Sequence, residues 1–255
     1  FFFKNKCIGC FSCIEVCPEN ALTSHTELGI ITDRNKCTLC GKCAEVCPTT
    51  AMQLAGRAFD IEEIKTVLIK ELDLMKSSGG GVTFSGGEPL MFHNELIKTA
   101  QLCKQLGIHC AVDTSGYVRS EIIDEVIPFT DLFLYDLKFM DSRKHKEFTG
   151  FGNEIVLKNL KRIAVSGIPF HIRIPLIEGV NTDDENIDLT IEFINELPSK
   201  PQLASFLPYH DIAVVKYERL GKFYENSGLK EPSGETLEKV TSQFKAAGLD
   251  FKIGG

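Results

Sequence analysis

Eight cysteines lie within residues 7–47, in two runs that repeat one spacing. The repeated pattern is Cys-x2-Cys-x2-Cys-x3-Cys-Pro, and its cysteines are Cys7, Cys10, Cys13 and Cys17, followed by Cys37, Cys40, Cys43 and Cys47. Disulfide-linked extracellular domains and zinc sites also concentrate cysteines. The spacing favours iron, because three closely spaced thiolates wrap one 4Fe–4S cluster while a fourth, before proline, binds a second cluster.

This spacing predicts two ligand sets that cross between the runs. We call Cys7, Cys10, Cys13 and Cys47 the first set, and Cys37, Cys40, Cys43 and Cys17 the second set. A short strand is expected at residues 30–33, between the runs. Residues 1–57 are therefore predicted to form a small ferredoxin-like module that two clusters hold together in place of a large core. The other two cysteines, Cys103 and Cys110, are expected to be buried as small hydrophobes.

Polar side chains and glycines also follow five β-prone stretches in the rest of the chain. They are Gly86, Gly87, Glu88, Asp113, Thr114, Ser115, Asp136, Lys138, Arg173 and His210. Glycines without a Cβ let a ligand lie against the backbone. A carboxylate beside free amides suits the ammonium and carboxylate groups of an amino-acid-like ligand. A tight turn with a surface glutamate is the alternative for Glu88 alone, whereas five strand ends with polar groups favour a site.

The hydrophobic periodicity places these residues at the ends of parallel strands. Strands are expected at 81–85, 108–113, 131–137, 168–174 and 203–209, with a short last one at 250–253. Helices are expected from Asp60 onward and at 94–106, 120–126, 154–165, 184–197 and 234–247. Such alternation indicates an α/β domain over residues 58–255, with right-handed crossovers and a closed or partial barrel. Barrels of this kind carry their chemistry at the carboxyl ends of the strands.

Bulk properties exclude several partners. The chain has 255 residues and a net charge of −7, and it has no basic run interleaved with aromatic residues, so nucleic acid is not expected as a partner. No apolar run reaches the ~18 residues of a membrane span. Cysteines arranged for metal indicate a reducing compartment, so a cytoplasmic location is predicted. The basic run at 143–146 is expected to be a solvated face, with a docking patch for an acidic partner as the alternative.

Taken together and in order, these motifs resemble the radical S-adenosylmethionine (SAM) superfamily. More narrowly, they resemble the activating enzymes of glycyl radical enzymes that carry a ferredoxin-like insert. The resemblance covers nearly the whole chain, and the matching stretches are the two cysteine runs and residues 85–89, 113–116, 136–141, 173–181, 207–210 and 216–221. It implies a partial (β/α)6 TIM-like barrel. Residues 211–215 depart from the family pattern, which leaves the shape of that loop open.

The resemblance also implies a role for each strand-end residue. Gly86, Gly87 and Glu88 are expected to hold the methionine ammonium of SAM. Asp113, Thr114 and Ser115 are expected to contact the amino-acid part of SAM and a nearby monovalent cation. Asp136 and Lys138 are expected to lie near SAM and the target glycine. Arg173 and His210 are expected at the ribose or the adenine. A strand-end ion pair is the alternative for Asp136 with Lys138, and a structural hydrogen bond for His210.

The reaction implied by the resemblance is one-electron cleavage of SAM to methionine and a 5′-deoxyadenosyl radical. That radical takes a Cα hydrogen from a glycine of a partner glycyl radical enzyme, and flavodoxin or ferredoxin supplies the electron. A third 4Fe–4S cluster is expected on a C-x3-C-x2-C triplet in a segment before Phe1, and an open sheet edge favours such a segment. A truncated gene product, which should not cleave SAM, is the alternative. The alternatives are a non-catalytic electron-transfer or scaffold protein and a radical SAM enzyme for a small molecule.

Overall fold

The computed structural model describes residues 1–54, 56, 58–210, 215, 217, 219–220 and 228–254. Contacts divide the chain into two compact units. The first unit comprises residues 1–59 and 210–228, and the second comprises residues 60–209 and 229–255. The grouping of 210–228 with the first unit differs from the division at residue 57 that the sequence suggested, and that division stays a prediction.

The first unit is a small hairpin with two short helices. Strands β1 (Leu22–His25) and β2 (Gly29–Thr32) pair antiparallel, and helices α1 (Ser12–Glu15) and α2 (Lys42–Glu45) follow the second cysteine of each run. Strand β2 lies one residue before the predicted stretch. The polar strand β1 has no periodic apolar pattern, so its partner rather than its own sequence defines it. A small core surrounds the hairpin and consists of Phe2, Cys13, Leu22, Ile30, Ala51 and Met52.

The second unit contains a six-stranded parallel sheet in simple sequential order. Its strands are β3 (Gly81–Phe84), β4 (His109–Thr114), β5 (Leu132–Asp136), β6 (Phe170–Leu176), β7 (Leu203–Pro208) and β8 (Phe251–Ile253). All five neighbouring pairs are parallel. The α/β class and the partial barrel predicted from the sequence are confirmed.

Helices connect these strands. They are α3 (Ile61–Ser78), α4 (His93–Gln105), α5 (Ser120–Val126), α6 (Ser142–Thr149), α7 (Glu154–Ser166), α8 (Asp184–Glu196) and α9 (Gly234–Ala246). Helix α3 begins after Asp60, as expected, with a capping box in which Asp60 accepts from the Glu63 N–H and the Glu63 carboxylate accepts from the Asp60 N–H. Among the described residues, no helix is both long and apolar enough to cross a membrane.

Helix α6 was not predicted, and it carries the basic run at 143–146. Its sequence is too polar to show an apolar stripe, so the helix starts from its cap: the Asp141 carboxylate accepts from the Arg143 and Lys144 N–H groups. His145 is buried, and its Nδ1 lies 2.6 Å from the Phe151 carbonyl oxygen. The run is therefore one turn of a helix that packs through its histidine.

The two faces of the sheet differ. In β6, residues Phe170, Ile172, Ile174 and Leu176 are buried, whereas His171, Arg173 and Pro175 between them are only half-buried. Strand β5 alternates in the same way, and its register places Asp136 opposite Arg173. One face thus joins the apolar core, and the other presents polar groups at the carboxyl ends of the strands.

Candidate functional site

The loop after β3 leaves its backbone open to a ligand. Gly86 has a φ of 131°, and a Cβ at Gly86 or Gly87 would meet no atom within 4 Å. The chain then enters a single 3-10 turn at Pro89–Phe92, and the Glu88 carboxylate caps this turn by accepting from the Leu90 N–H at 3.2 Å. The sequence requires a glycine here because the φ of Gly86 is costly for any other residue.

Glu88 is fixed by the loop after β4. Its Oε1 accepts from the Thr114 hydroxyl at 2.6 Å, and its Oε2 accepts from the Ser115 N–H at 2.9 Å and from the Ser115 hydroxyl at 2.6 Å. Thr114 is buried, and its hydroxyl also accepts from the Gly116 N–H. In this structure the two hydroxyls position Glu88, and their contacts to a ligand stay a prediction.

Arg173 joins two carboxylates across three strands. Its Nη1 donates to Asp113 Oδ2 at 3.0 Å, its Nη2 donates to Asp136 Oδ1 at 2.7 Å, and its Nη2 also contacts Asp113 Oδ1. The Ser85 hydroxyl donates to Asp113 at 3.1 Å, and the Lys138 ammonium lies 3.6 Å from Asp136 Oδ2. We call these five residues the charged network. The structure brings them together at one rim of the sheet. Four of them, Asp113, Asp136, Lys138 and Arg173, are among the residues named from the sequence, and their roles at a ligand stay a prediction.

Burial and charge act in opposite directions on Arg173. Burial lowers the pKa of its guanidinium, but Asp136 and Asp113 raise it by more, so the pKa is raised above its ordinary value. Burial also raises the pKa of Tyr135, and the Glu88 and Asp136 carboxylates raise it further. Arg173 therefore stays charged and Tyr135 stays neutral, and the Tyr135 hydroxyl donates to the Val156 carbonyl oxygen at 2.7 Å.

Buried asparagines hold the loops that carry the site, and the sequence reasoning did not assign them this role. The Asn159 amide on α7 donates to the carbonyl oxygens of Gly116 and Val118, both at 2.8 Å. Asn159 is fully buried, although it lies on a helix face formed by Val156 and Ile163. An asparagine inside an apolar helical stripe is the sequence signal for such a contact, because a buried amide needs hydrogen-bond partners.

Asn181 acts in the same way on the loops after β5 and β6. Its amide donates to the carbonyl oxygens of Lys138 at 3.1 Å and Pro175 at 2.6 Å, and its Oδ1 accepts from the Ile177 N–H. Asn181 ends the stretch at 173–181 that carries the resemblance. The structure adds that it fixes the backbone of Lys138.

His210 follows β7 by two residues and is exposed. It belongs to the first unit by its contacts, so its role at the ribose or adenine stays a prediction. The atypical loop at 211–215 and the stretch at 216–221 fall mostly outside the described residues.

The eight cysteines of the first unit surround two cavities. Residues of the first set, Cys7, Cys10, Cys13 and Cys47, line one cavity. Residues of the second set, Cys17, Cys37, Cys40 and Cys43, line the other. The structure thus brings together the same two groups of four that the spacing suggested. Cys103 and Cys110 are buried in the core of the second unit, as expected.

The surroundings of these thiols fit iron–sulfur clusters. Burial raises the pKa of Cys13 and of Cys43, whereas a hydrogen bond from the Ser12 hydroxyl lowers the pKa of Cys10. Three backbone N–H groups, of Gly9, Ala21 and Met52, donate to cysteine sulfur, and two hydroxyl groups, of Ser12 and Thr49, also contact sulfur. The sulfur ligands of a cluster accept hydrogen bonds of this kind. Among the described residues, no group of three or more His, Cys, Asp or Glu side chains is arranged to hold a single metal ion.

Two protein families match the chain. The model of the Radical SAM superfamily matches residues 34–193, and the model of a 4Fe–4S dicluster domain matches residues 6–51. The first match covers more than half of the chain, including β3 to β6 and the charged network.

Curated relatives match over nearly the full chain. The trans-4-hydroxy-L-proline dehydratase activating enzyme of Clostridioides difficile is 43% identical over 99% of this chain and 83% of its own length. The choline trimethylamine-lyase activating enzyme of Oleidesulfovibrio alaskensis is 34% identical over 98% of this chain and 81% of its own length. The benzylsuccinate synthase activating enzyme of Thauera aromatica is 33% identical over 100% of this chain and 79% of its own length.

A solved structure agrees with these relatives. A domain of a pyruvate-formate lyase-activating enzyme from Bacteroides vulgatus is 43% identical, with a TM-score of 0.60 over 69% of this chain and 99% of that one. Streptococcus suis SuiB bound to S-adenosylmethionine has a TM-score of 0.59 at 17% identity, over 81% of this chain and 46% of that one, which indicates a shared fold.

Proposed function

We propose that this chain has the activity of its family: it belongs to the activating enzymes of glycyl radical enzymes, within the radical SAM superfamily. The protein installs a glycyl radical on a partner enzyme. When bound together, SAM and a reduced 4Fe–4S cluster supply the radical that takes the glycine Cα hydrogen. The residues of this chain bind, orient and shield the reacting groups.

The polar rim of the sheet is the proposed SAM site. The open backbone at Gly86 and Gly87, with the fixed carboxylate of Glu88, receives the ammonium group of SAM. Lys138 suits the carboxylate of SAM, because an ammonium and a carboxylate form a charge-assisted hydrogen bond. Asp113 and Asp136 face the positive sulfonium end, and Arg173 keeps these two carboxylates in place.

The first unit is proposed to carry electrons to the reaction. The first and second sets of cysteines each hold one 4Fe–4S cluster, and flavodoxin or ferredoxin is the proposed donor. The cluster that binds SAM in this family takes a C-x3-C-x2-C triplet, which does not occur among these 255 residues. The experiments below therefore use the complete reading frame. A cytoplasmic location is proposed, because reduced thiols and low-potential clusters need a reducing compartment.

The partner is proposed to be a glycyl radical enzyme, as the names of the relatives suggest. Those relatives are named as activating enzymes of a dehydratase, a lyase and a synthase. The gene beside this one in its genome is the first candidate to test as a substrate.

The charged network carries this proposal, because it places two carboxylates and two cations beside an open backbone at one rim. The test is 5′-deoxyadenosine formation by anaerobically reconstituted protein with SAM and dithionite. Electron paramagnetic resonance then follows the glycyl radical after the partner is added. Iron analysis is expected to give about twelve iron atoms per chain, for three clusters.

A pair of lysine variants tests the site itself. Lys138→Met is expected to weaken SAM binding about tenfold, in line with a lost charged hydrogen bond. Lys239→Met is the control, because Lys239 forms an exposed ion pair with Asp184 on α8, at 2.7 Å. Protein that loads its clusters but neither binds nor cleaves SAM contradicts the proposal and favours an electron-transfer or scaffold role.

A further inference from the structure

The two cysteine runs adopt nearly the same backbone. The residue after the second cysteine of each run is left-handed, at Phe11 with φ 57° and Gly41 with φ 82°, and a short helix follows it. The third residue after each fourth cysteine is also left-handed, at Asn20 and Thr50. Because the backbones repeat, a difference between the two cluster sites has to come from side chains.

Two hydroxyl groups contact sulfurs of the first set. The Ser12 hydroxyl donates to Cys10 Sγ at 3.5 Å, and the Thr49 hydroxyl lies 3.8 Å from Cys47 Sγ. The backbone N–H of Gly9 adds a contact to Cys7 Sγ at 3.4 Å. The Met52 N–H donates to Cys47 Sγ, also at 3.4 Å.

The second set has no such hydroxyl contact among the described residues. The position equivalent to Ser12 is Lys42, and the position equivalent to Thr49 is Glu19. The described contact to a sulfur of this set is the Ala21 N–H, 3.3 Å from Cys17 Sγ. Lys42 and Glu19 are both exposed, and their opposite charges act in opposite directions on a nearby cluster.

Hydrogen bonds to cysteine sulfur raise the reduction potential of a cluster. The reduced cluster carries one more negative charge, part of which lies on its sulfurs, so a donor stabilises the reduced form more than the oxidised form. We infer that Ser12 and Thr49 make the cluster of the first set the higher-potential centre of the two. This inference rests on the proposed ligation of two clusters by the eight cysteines. Each cluster takes up one electron from an added reductant, and no thiolate changes its protonation.

The test is a mediated redox titration of the complete, reconstituted protein, followed by electron paramagnetic resonance. The variant Ser12→Ala/Thr49→Val removes both hydroxyls and nearly keeps their volume. In this variant, the equilibrium between the oxidised and reduced forms of the first-set cluster is expected to shift about tenfold toward the oxidised form. Its reduction potential then drops by about 59 mV. The potential of the second set is expected to stay unchanged. A shift of both potentials together, or of neither, overturns the inference.

A reverse variant gives an independent test in the other half. Lys42→Ser/Glu19→Thr introduces the two hydroxyls into the second set and leaves the net charge unchanged, because it removes one charge of each sign. The reduction potential of the second-set cluster is expected to rise toward that of the first-set cluster. If it does not rise, the inference is overturned, even where Ser12→Ala/Thr49→Val fails to load iron. Loss of both clusters in the unaltered protein instead contradicts the proposed ligation, so the two failures are distinguishable.

Discussion

The two units of this protein differ in the size of their apolar cores. Among the described residues, the core of the second unit contains thirty-one buried side chains, and the core of the first unit contains six. Two of the pockets in the first unit are lined by cysteine. The second unit has the apolar area to fold by burial, whereas the first has too little and is expected to depend on its clusters.

The two units also differ in how far their sites are formed by the protein alone. In the second unit, the charged network already has its partners, so the sheet preorganises the rim before a ligand arrives. In the first unit, the thiols have few partners besides the N–H and hydroxyl groups around them. We expect the clusters to be needed for the first unit to fold. In the second unit, we expect the ligand to bind a site that is already formed.

The largest expected effect is the loss of order in the first unit without iron. Protein prepared without iron is expected to lose amide protection throughout β1 and β2 and to keep it in β4, β5 and β6. The physical reason is that thiolate–iron bonds replace an apolar core in the first unit. Hydrogen exchange followed by mass spectrometry, with and without reconstitution, measures both units in one sample. Equal protection of β1 and β2 in both samples contradicts the comparison.

A pair of glycine variants tests how tightly the rim of the second unit is packed. Gly116 and Gly167 are both left-handed, with φ of 68° and 77°. A Cβ at Gly116 collides with the Tyr135 hydroxyl, whereas a Cβ at Gly167 meets no atom within 4 Å. Gly116→Ala is expected to cost about 3 kcal/mol of unfolding free energy, and Gly167→Ala about 1 kcal/mol. Urea unfolding measures the free energy of unfolding of both variants. Equal losses would show that the close packing at Gly116 does not contribute to stability.

The charged network is tested by Arg173→Met. Without the guanidinium, Asp113 and Asp136 repel each other and turn away, so the affinity for SAM is expected to fall about tenfold, or about 1.4 kcal/mol. Arg162→Met is the matched control, because Arg162 forms a bidentate pair with Asp124 in which both side chains are exposed. That control is expected to leave SAM binding unchanged. Isothermal titration of each reconstituted variant measures the affinity, and an equal loss in both contradicts the role of the network.

The smallest expected effect is a pH response confined to the second unit. Burial lowers the pKa of His171 below its ordinary 6.5, nearby Lys252 lowers it further, and a hydrogen bond with Gln202 partly offsets both. The unfolded state then binds more protons than the folded state just below pH 6.5, so this contribution is present above that pH and is lost as the pH falls. His171→Gln is expected to flatten the pH dependence of the urea midpoint between about pH 5 and 7. An unchanged profile contradicts this origin.

Long periodic elements of the second unit were predictable from the sequence. The β/α alternation, the capping box at Asp60 and the strand ends at Asp113 and Asp136 follow from local patterns of apolar and polar residues. Helix α6 was not predictable in this way, because its order comes from the cap at Asp141 and the buried His145 rather than from an apolar stripe.

Tertiary contacts set the limits of prediction for the site. The sequence placed Glu88, Thr114 and Ser115 at one rim, but it could not show that two hydroxyls point at one carboxylate. The carbonyl contacts of Asn159 and Asn181 were equally hidden, since a donor and an acceptor 43 residues apart leave no local pattern. The grouping of the cysteines around two cavities was predictable from their spacing, and their ligation of clusters stays a prediction.

The buried asparagine contacts have an evolutionary consequence. The asparagine amides donate hydrogen bonds to main-chain carbonyl oxygens of the rim, and every amino acid has such a carbonyl. An exposed side chain on those loops, such as Tyr117, can therefore differ between homologues without displacing the acidic groups of the site. During evolution, the exposed surface that contacts a partner protein can therefore change while the residues of the site and their chemistry stay the same.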